Sequence, residues 1–395
     1  MSAGDAVLIA GYARTPFAKF TGQLAALPAT ALGAHAAGAA LRRAGIAPDE
    51  VDQVIAGQVL QAGAGQNPAR QTAVGAGVPL TVPAITLNAV CLSGMEAVAQ
   101  AARLIRAGEA DVVVAVGQES MTLAPHVAQI RGGTKFGSSE LRDTVEHDGL
   151  SDAFDRAAMG VLTEQGNGPL GLTRAEQDAF AAASHRRAAE AAEFRAGEIE
   201  PITLTSRRGD TVIADDDGVR PDTTPESLAA LRPSFAQDGT ITAGNASQIT
   251  DGAAALVLIS ATAAERLELT PMASVEATAF VAGPDTHLHA QPARAIDAAL
   301  VKTDDAASAG ELAVVEINEA FAAVGVQSAR ELGLDPEIVN PGGGAIALGH
   351  PIGASGARIV GTLARRLAQA GPGTLGAAGI CGGGGQGSAV ILRAL

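Results

Sequence analysis

The stretch Ala84–Val116, AITLNAVCLSGMEAVAQAARLIRAGEADVVVAV, decides the fold. Ala84–Leu87 reads as a strand that runs into a turn at Cys91. A helix follows to about Ala107, and Asp111–Val116 is an unbroken apolar run of the kind buried in mid-sheet. The same plan returns at Ile338–Ile380. There a short strand at Ile338–Asn340 enters a glycine turn that carries His350, a helix covers about Ser355–Ala370, and Thr374–Ile380 returns as a strand. Such a repeat predicts two similar α/β halves facing each other across a site.

Working outward, strands at Ala6–Gly11, Val51–Ala56 and Ala253–Ser260 join the first unit, with a helix at Ala29–Ala44 that Gly45 stops. The second gains a helix around Ala293–Leu300, the strand Leu312–Ile317 and the helix Ala320–Leu332. Between about Met121 and Ser247, turn residues and charges crowd together (RGGTKFGSSELRD, TSRRGD, ADDDGVRPDTTPE). One long helix is expected there, Arg174–Ala196, opened by a capping box of Thr173 and Glu176. The chain is thus read as 1–122 with 248–272, an inserted 123–247, and 273–395.

Composition agrees with an α/β architecture. At roughly 150 residues per domain, 395 residues make two to three units. Apolar residues are 47%, but nine Phe, one Tyr and no Trp leave the core to Ala, Val, Ile and Leu. With 48 Gly, this is the make-up of closely packed helices on sheets, not of a disordered or disulfide-stapled chain. A net charge of −15 without a basic run argues against nucleic acid. No signal-peptide pattern opens the chain, and no apolar run nears the roughly 18 residues of a membrane span. A cytoplasmic protein with two free thiols, Cys91 and Cys381, is the expectation.

Four segments can carry chemistry. Cys91 stands where a strand turns into a helix, a place that exposes sulfur and favours a thiolate nucleophile; a small buried hydrophobe is the alternative. In GGGAIALGHPIGASGARI, glycines let the backbone approach a ligand while His350 serves as a base; a plain chain reversal is the alternative. ICGGGGQGSAV ends a strand in Cys381, and the N–H groups of its glycines can converge on an oxyanion unless the loop is only a hairpin connection. In VVEINEAFAAV, Asn318 can hold a water or an oxygen, although Asn318-Glu319 taken alone reads as a helix N-cap and first turn. His287 and His289 lack partners at ligand spacing, so no metal is expected. No phosphate-binding loop or dinucleotide fingerprint is present.

Together these segments resemble the thiolase family. The likeness spans nearly the whole chain, through ARTPF at Ala13–Phe17, GQNPARQ at Gly65–Gln71, NAVCLSG at Asn88–Gly94 and GQESM at Gly117–Met121. It continues through TAGNAS at Thr242–Ser247, NEAF at Asn318–Phe321, GHPIGASG at Gly349–Gly356 and CGGGG at Cys381–Gly385. The resemblance implies a five-layered αβαβα fold of two βαβαβαββ halves with an inserted loop domain. It implies that Cys91 takes an acetyl group from acetyl-CoA and that His350 activates it and later helps hold a thioester oxygen. Asn318 would hold a water at that oxygen, and Cys381 would move the proton of the second acetyl-CoA. The N–H groups of Cys91 and Gly383 would form the other oxyanion hole. The activity implied is condensation of two acetyl-CoA to acetoacetyl-CoA and CoA, with no cofactor, CoA being substrate and product.

The family's CoA and substrate contacts map onto Arg220, Ser227, Phe235, Ala243, Ser247, Met159, Leu150, Phe321 and Leu288. Arg131, Lys135, Arg142, Arg207, Arg208 and Arg220 concentrate positive charge in the insertion, where a polyanionic substrate needs it. Two departures bear on specificity. Ala158 stands where a histidine is usual, and Leu288-His289-Ala290-Gln291-Pro292 replaces a methionine followed by GTGP. A 3-ketoacyl-CoA thiolase acting on longer chains is therefore the second reading, and a non-catalytic acyl-CoA-binding scaffold the third. A homodimer or homotetramer is implied, with Met121–Arg142 as the tetramer contact.

Overall fold

The computed structural model describes residues 6–207 and 209–395. The first half runs β1 (Val7–Arg14), α1 (Ala29–Ala44), β2 (Gln53–Gly57), α2 (Pro68–Gly75), β3 (Ala84–Leu87), α3 (Ser93–Arg106) and β4 (Val112–Glu119). An insertion with α4 (Met159–Asn167) and α5 (Arg174–Glu190) follows, and β5 (Thr250–Ser260) closes the half. The second half runs β6 (Ala273–Ala282), α6 (Gln291–Leu300), β7 (Leu312–Ile317), α7 (Ala322–Leu332), α8 (Ser355–Leu367), β8 (Leu375–Gly382) and β9 (Gln386–Ala394).

The halves share one topology. In the first, β1 pairs antiparallel with β5, β5 antiparallel with β4, and β4–β2–β3 are parallel. In the second, β6 pairs antiparallel with β9, β9 antiparallel with β8, and β8 parallel with β7. Antiparallel pairing of Leu8 with Ser274 and Ile9 with Ala273 joins the two sets, so that among the described residues ten strands form one sheet.

The expected third strand of the second half is reduced to a single bridge, Val315 to Val339, after a short 3-10 turn at Pro336–Ile338. Asn340 is the reason. Its backbone takes a left-handed φ of 46°, and its amide replaces a ladder pair by accepting from Ile317 N–H (2.7 Å) and donating to Ile317 O (2.8 Å). The long helix of the insertion also differs: its capping box is present, but it breaks at Ala191 before a short turn, Ala192–Ala196.

Core residues sort into layers. One apolar cluster joins α1 and α2 to one face of the first sheet half, and another joins α6 to the second. Between them Met95, Val98 and Ile105 of α3 and Val360, Leu363 and Leu367 of α8 pack together, touching both sheet halves. That makes five layers, helix–sheet–helix–sheet–helix. Small residues set the spacing at the centre: a Cβ on Gly356 would lie 2.4 Å from Met95 N, and one on Gly94 2.7 Å from Gly353 O. Such contacts admit no side chain, which is why α3 and α8 meet at their first turns. In the insertion, paired two-residue strands at His126–Val127 and Arg142–Asp143 bracket exposed Ile130, Phe136 and Leu141.

Candidate active site

The ends of β3, β4, β7 and β8 and the first turns of α3 and α8 converge on one centre. Cys91 lies in a tight turn: Asn88 Oδ1 accepts from Val90 N–H (2.9 Å), Ser93 Oγ accepts from Ala89 N–H (2.9 Å), and the Ser93 hydroxyl donates to Val90 O (2.6 Å). These bonds hold Val90 at φ 52°, unusual for a β-branched residue and a sign of a conformation fixed by its surroundings. The N–H groups of Cys91 itself and of Gly383 lie close enough to the half-buried Cys91 sulfur to favour its charged form. Burial pushes its thiol up to about 12, and the charge of Glu119 adds to that. The helix N-terminus favours a thiolate there, and burial works against it.

His350 stands in the loop that leads into α8, two residues before Ile352 of the wall beside Cys91. Its ring Nδ1 is 2.6 Å from Ser355 Oγ, and the Ser355 hydroxyl donates to Pro351 O (3.1 Å). The bond to Ser355 occupies Nδ1 and leaves Nε2 free of that partner. Burial, with Arg358 adding its charge, pulls the imidazole down to about 3, so it is neutral at rest. Asn318 Nδ2 stands 3.5 Å from each ring nitrogen, and Asn318 Oδ1 is buried without a hydrogen-bond partner. Asn318 is not a helix N-cap: its N–H continues the ladder to Gly379 O, and α7 starts only after Phe321. Glu319 bends the chain between them, accepting from Ser184 Oγ–H, Asn340 Nδ2–H and Ile346 N–H.

Cys381 lies within β8, paired with Gly387. Burial raises its thiol well above the ordinary range, and Cys91 adds to the rise, so the two sulfurs feel each other's charge. The glycines after it do form a hairpin connection, and its Gly383 N–H also reaches Cys91. A Cβ on Gly385 would fall 1.8 Å from Asp285 O, so this turn accepts no side chain.

Two apolar walls flank the thiols. Val59, Leu60, Met121, Val145 and Ile352, with Leu150, pack beside Cys91. Met159, Leu288 and Phe321 pack beside Cys381, with Phe235 edge-on to Phe321 at 6.1 Å. From this centre Ala246–Thr250 leads outward: Ser247 bonds Ala320 O, and Gln248 O accepts from His350 N–H. It ends at a surface groove lined by Arg220, Ser227, Leu228 and Leu231, which adjoins a pocket that Arg220 shares with His185 and Ala243. The cavity volume of the groove is ≈ 490 Å³.

Two family models match the chain: the thiolase N-terminal domain over residues 7–262 and the thiolase C-terminal domain over residues 269–394. The chain is a thiolase. It is 52% identical to a probable acetyl-CoA acetyltransferase of Mycolicibacterium smegmatis, over 98% of this chain and all of the relative. It is 46% identical to the acetyl-CoA acetyltransferase of Chromobacterium violaceum, over 98% of this chain and 99% of the relative. The corresponding protein of Cupriavidus necator is 45% identical over the same shares.

In this thiolase Gly383 and Cys381 of the expected catalytic positions lie near Cys91, and Asn318 lies beside His350. Arg220, Ser227 and Ala243 gather at the groove, while Phe235 and Ser247 lie between groove and thiols. Arg131, Lys135 and Arg207 are exposed elsewhere in the insertion, Arg142 faces His147, and Arg208 lies outside the described residues. His289 turns away from the acyl wall to bond Asn167 (2.9 Å), and burial pulls it down to about 4, so Leu288 alone of that pair faces the thiols. Among the described residues no metal-binding cluster occurs, and no helix is long and apolar enough to cross a membrane. Sequence reading passed over Ser93 and Ser355, whose hydroxyls brace the two turns; the Ser-Gly shared by NAVCLSG and GHPIGASG was the available signal.

Proposed function

We propose that this thiolase is an acetyl-CoA C-acetyltransferase, joining two acetyl-CoA into acetoacetyl-CoA and CoA and running the same steps in reverse. The observation that carries it is the meeting of Cys91, Gly383 N–H and Cys381, contributed by different halves of the chain. The names of its relatives point the same way.

His350 Nε2 takes the Cys91 proton as the sulfur attacks the acetyl carbonyl, and the N–H groups of Cys91 and Gly383 receive the oxyanion. Cys381 gives its proton to the departing CoA sulfur. The products are acetyl-Cys91, a Cys381 thiolate and a His350 imidazolium. The second acetyl-CoA loses a methyl proton to Cys381, and its enolate oxygen rests on the imidazolium N–H and on a water held by Asn318. Enolate carbon then attacks acetyl-Cys91, the Cys91 sulfur leaves, and His350 returns its proton. Protons and charges balance over the cycle. Arg220 at the exposed groove suits the phosphates of CoA.

Thiolysis tests this. The protein is mixed with CoA and either acetoacetyl-CoA or 3-ketohexadecanoyl-CoA, and loss of each ketoacyl substrate is followed. Faster turnover of acetoacetyl-CoA is expected. Preference for the long chain would replace the proposal with the degradative thiolase reading, and turnover of neither would end both.

A further inference from the structure

Glu119 ends β4 and takes no part in the steps just described. It is fully buried. Its Oε2 accepts from Val59 N–H (3.0 Å) and Gly353 N–H (3.0 Å), and its Oε1 from Leu60 N–H (3.2 Å). Val59 and Leu60 follow β2 and form part of the wall against Cys91. Gly353 belongs to the loop that carries His350, and the fit is close enough that a Cβ there would lie 2.7 Å from Glu119 Oε2. One carboxylate thus fastens the wall beside the nucleophile to the loop of its base. Its neighbour Gln118 does neither, being occupied with Thr72 and Gln58.

Burial, with the like charge of Asp251 adding to it, pushes the Glu119 carboxyl up to about 7, and the three N–H groups favour its ionised form. A carboxylate accepts all three N–H groups at once, whereas a neutral amide would turn its own NH₂ toward one of them. Asp251 on β5 is the like charge facing Glu119, and Asp251 is itself held by Thr122 N–H (2.9 Å) and Oγ–H (2.5 Å). We propose that Glu119 is a positioning residue for acetyl transfer, holding the Cys91 wall and the His350 loop in register. This rests on the acetyl-transfer reading for its kinetic part.

Glu119→Gln and Glu119→Asp test it through two readouts. In the Gln variant, kcat for acetoacetyl-CoA thiolysis is expected to fall about tenfold or more with KM changed little, because loops that slip by a fraction of an ångström misalign base and nucleophile. The pH profile for alkylation of Cys91 by iodoacetamide should move down, since a like charge acting on the thiol has gone. The Asp variant keeps the charge but shortens the reach, so its alkylation profile should stay near the parent's while kcat falls; it also decides the matter if the Gln variant does not fold. Parent-like kcat in both variants, or a Gln variant (an Asp variant, should Gln not fold) whose alkylation profile contradicts these shifts, would overturn the proposal. Alkylation needs no substrate, so it reports on Glu119 even if the parent protein turns over neither ketoacyl-CoA.

Discussion

The two halves share strand order and strand sense, yet each presents its chemistry on a different kind of turn. In the first half β3 is a true strand, and five residues suffice to swing the chain into α3, with side-chain bonds from Asn88 and Ser93 locking Val90 at positive φ. In the second the strand shrinks to one bridge, and a glycine-rich loop with a short helical turn, Ala345–Leu348, carries the chain to His350 and α8. A short braced turn holds a sulfur at one point. A long loop can be fastened at many points, through Asn340, Glu319, Ser355 and Glu119, and so can present a ring in a chosen orientation. The halves differ most in these turns, while their sheets and central helices are closely packed.

The sharpest way to break this comparison is to remove one thiol from each half. Cys91→Ala should lose thiolysis by about a thousandfold or more, as expected when a covalent nucleophile is deleted, and should gain no acetyl mass from acetyl-CoA. Cys381→Ala should lose net condensation while still acquiring one acetyl group on Cys91, seen by intact mass spectrometry. An unlabelled Cys381→Ala protein, or an acetylated Cys91→Ala one, would reverse the division of labour between the halves.

Asn340 probes the scaffold difference. Asn340→Ala removes its amide bonds to Ile317 and Glu319, and should cost about 2–4 kcal/mol at typical net values for buried bonds. The urea midpoint reads this, and an unchanged midpoint would mean that the single bridge at Val339 suffices.

The smallest effect expected is one of pH. A histidine at about 3 stays neutral where an ordinary imidazole would protonate, so His350 itself should contribute no loss of thiolysis centred near pH 6.5. The same shift has a stability consequence of definite sign. Unfolded His350 binds a proton below about 6.5 and the folded residue only near 3, so native stability falls as pH drops through that window. A titration step near pH 6.5 that His350→Asn abolished would show the imidazole to be solvated instead.

Much of this was legible in the sequence. Period and punctuation identify β3, α3, α8 and the capping box at Thr173, because apolar runs, Gly45 and the Thr173/Glu176 pair act locally. Local signals fail where distant groups intervene. Asn340 looks like the end of a strand until its side chain is seen replacing the ladder. Asn318 looks like a helix cap until Glu319 is seen pulling the chain toward Ser184 and Ile346. At Cys91 the local pattern shows the helix N-terminus but not the burial that opposes a thiolate. Glu119, one polar residue in an apolar strand, offered a signal that only its three N–H partners make readable.

Residues 261–272 between β5 and β6 are the peptide link between the halves, and nucleophile and second thiol lie on opposite sides of it. Functionally the chain is a heterodimer written as one polypeptide, in which neither part alone owns a complete set of reacting groups. The link replaces a bimolecular encounter by an intramolecular one, so assembly of the centre does not weaken on dilution. Severing it would turn a property of the fold into one of protein concentration.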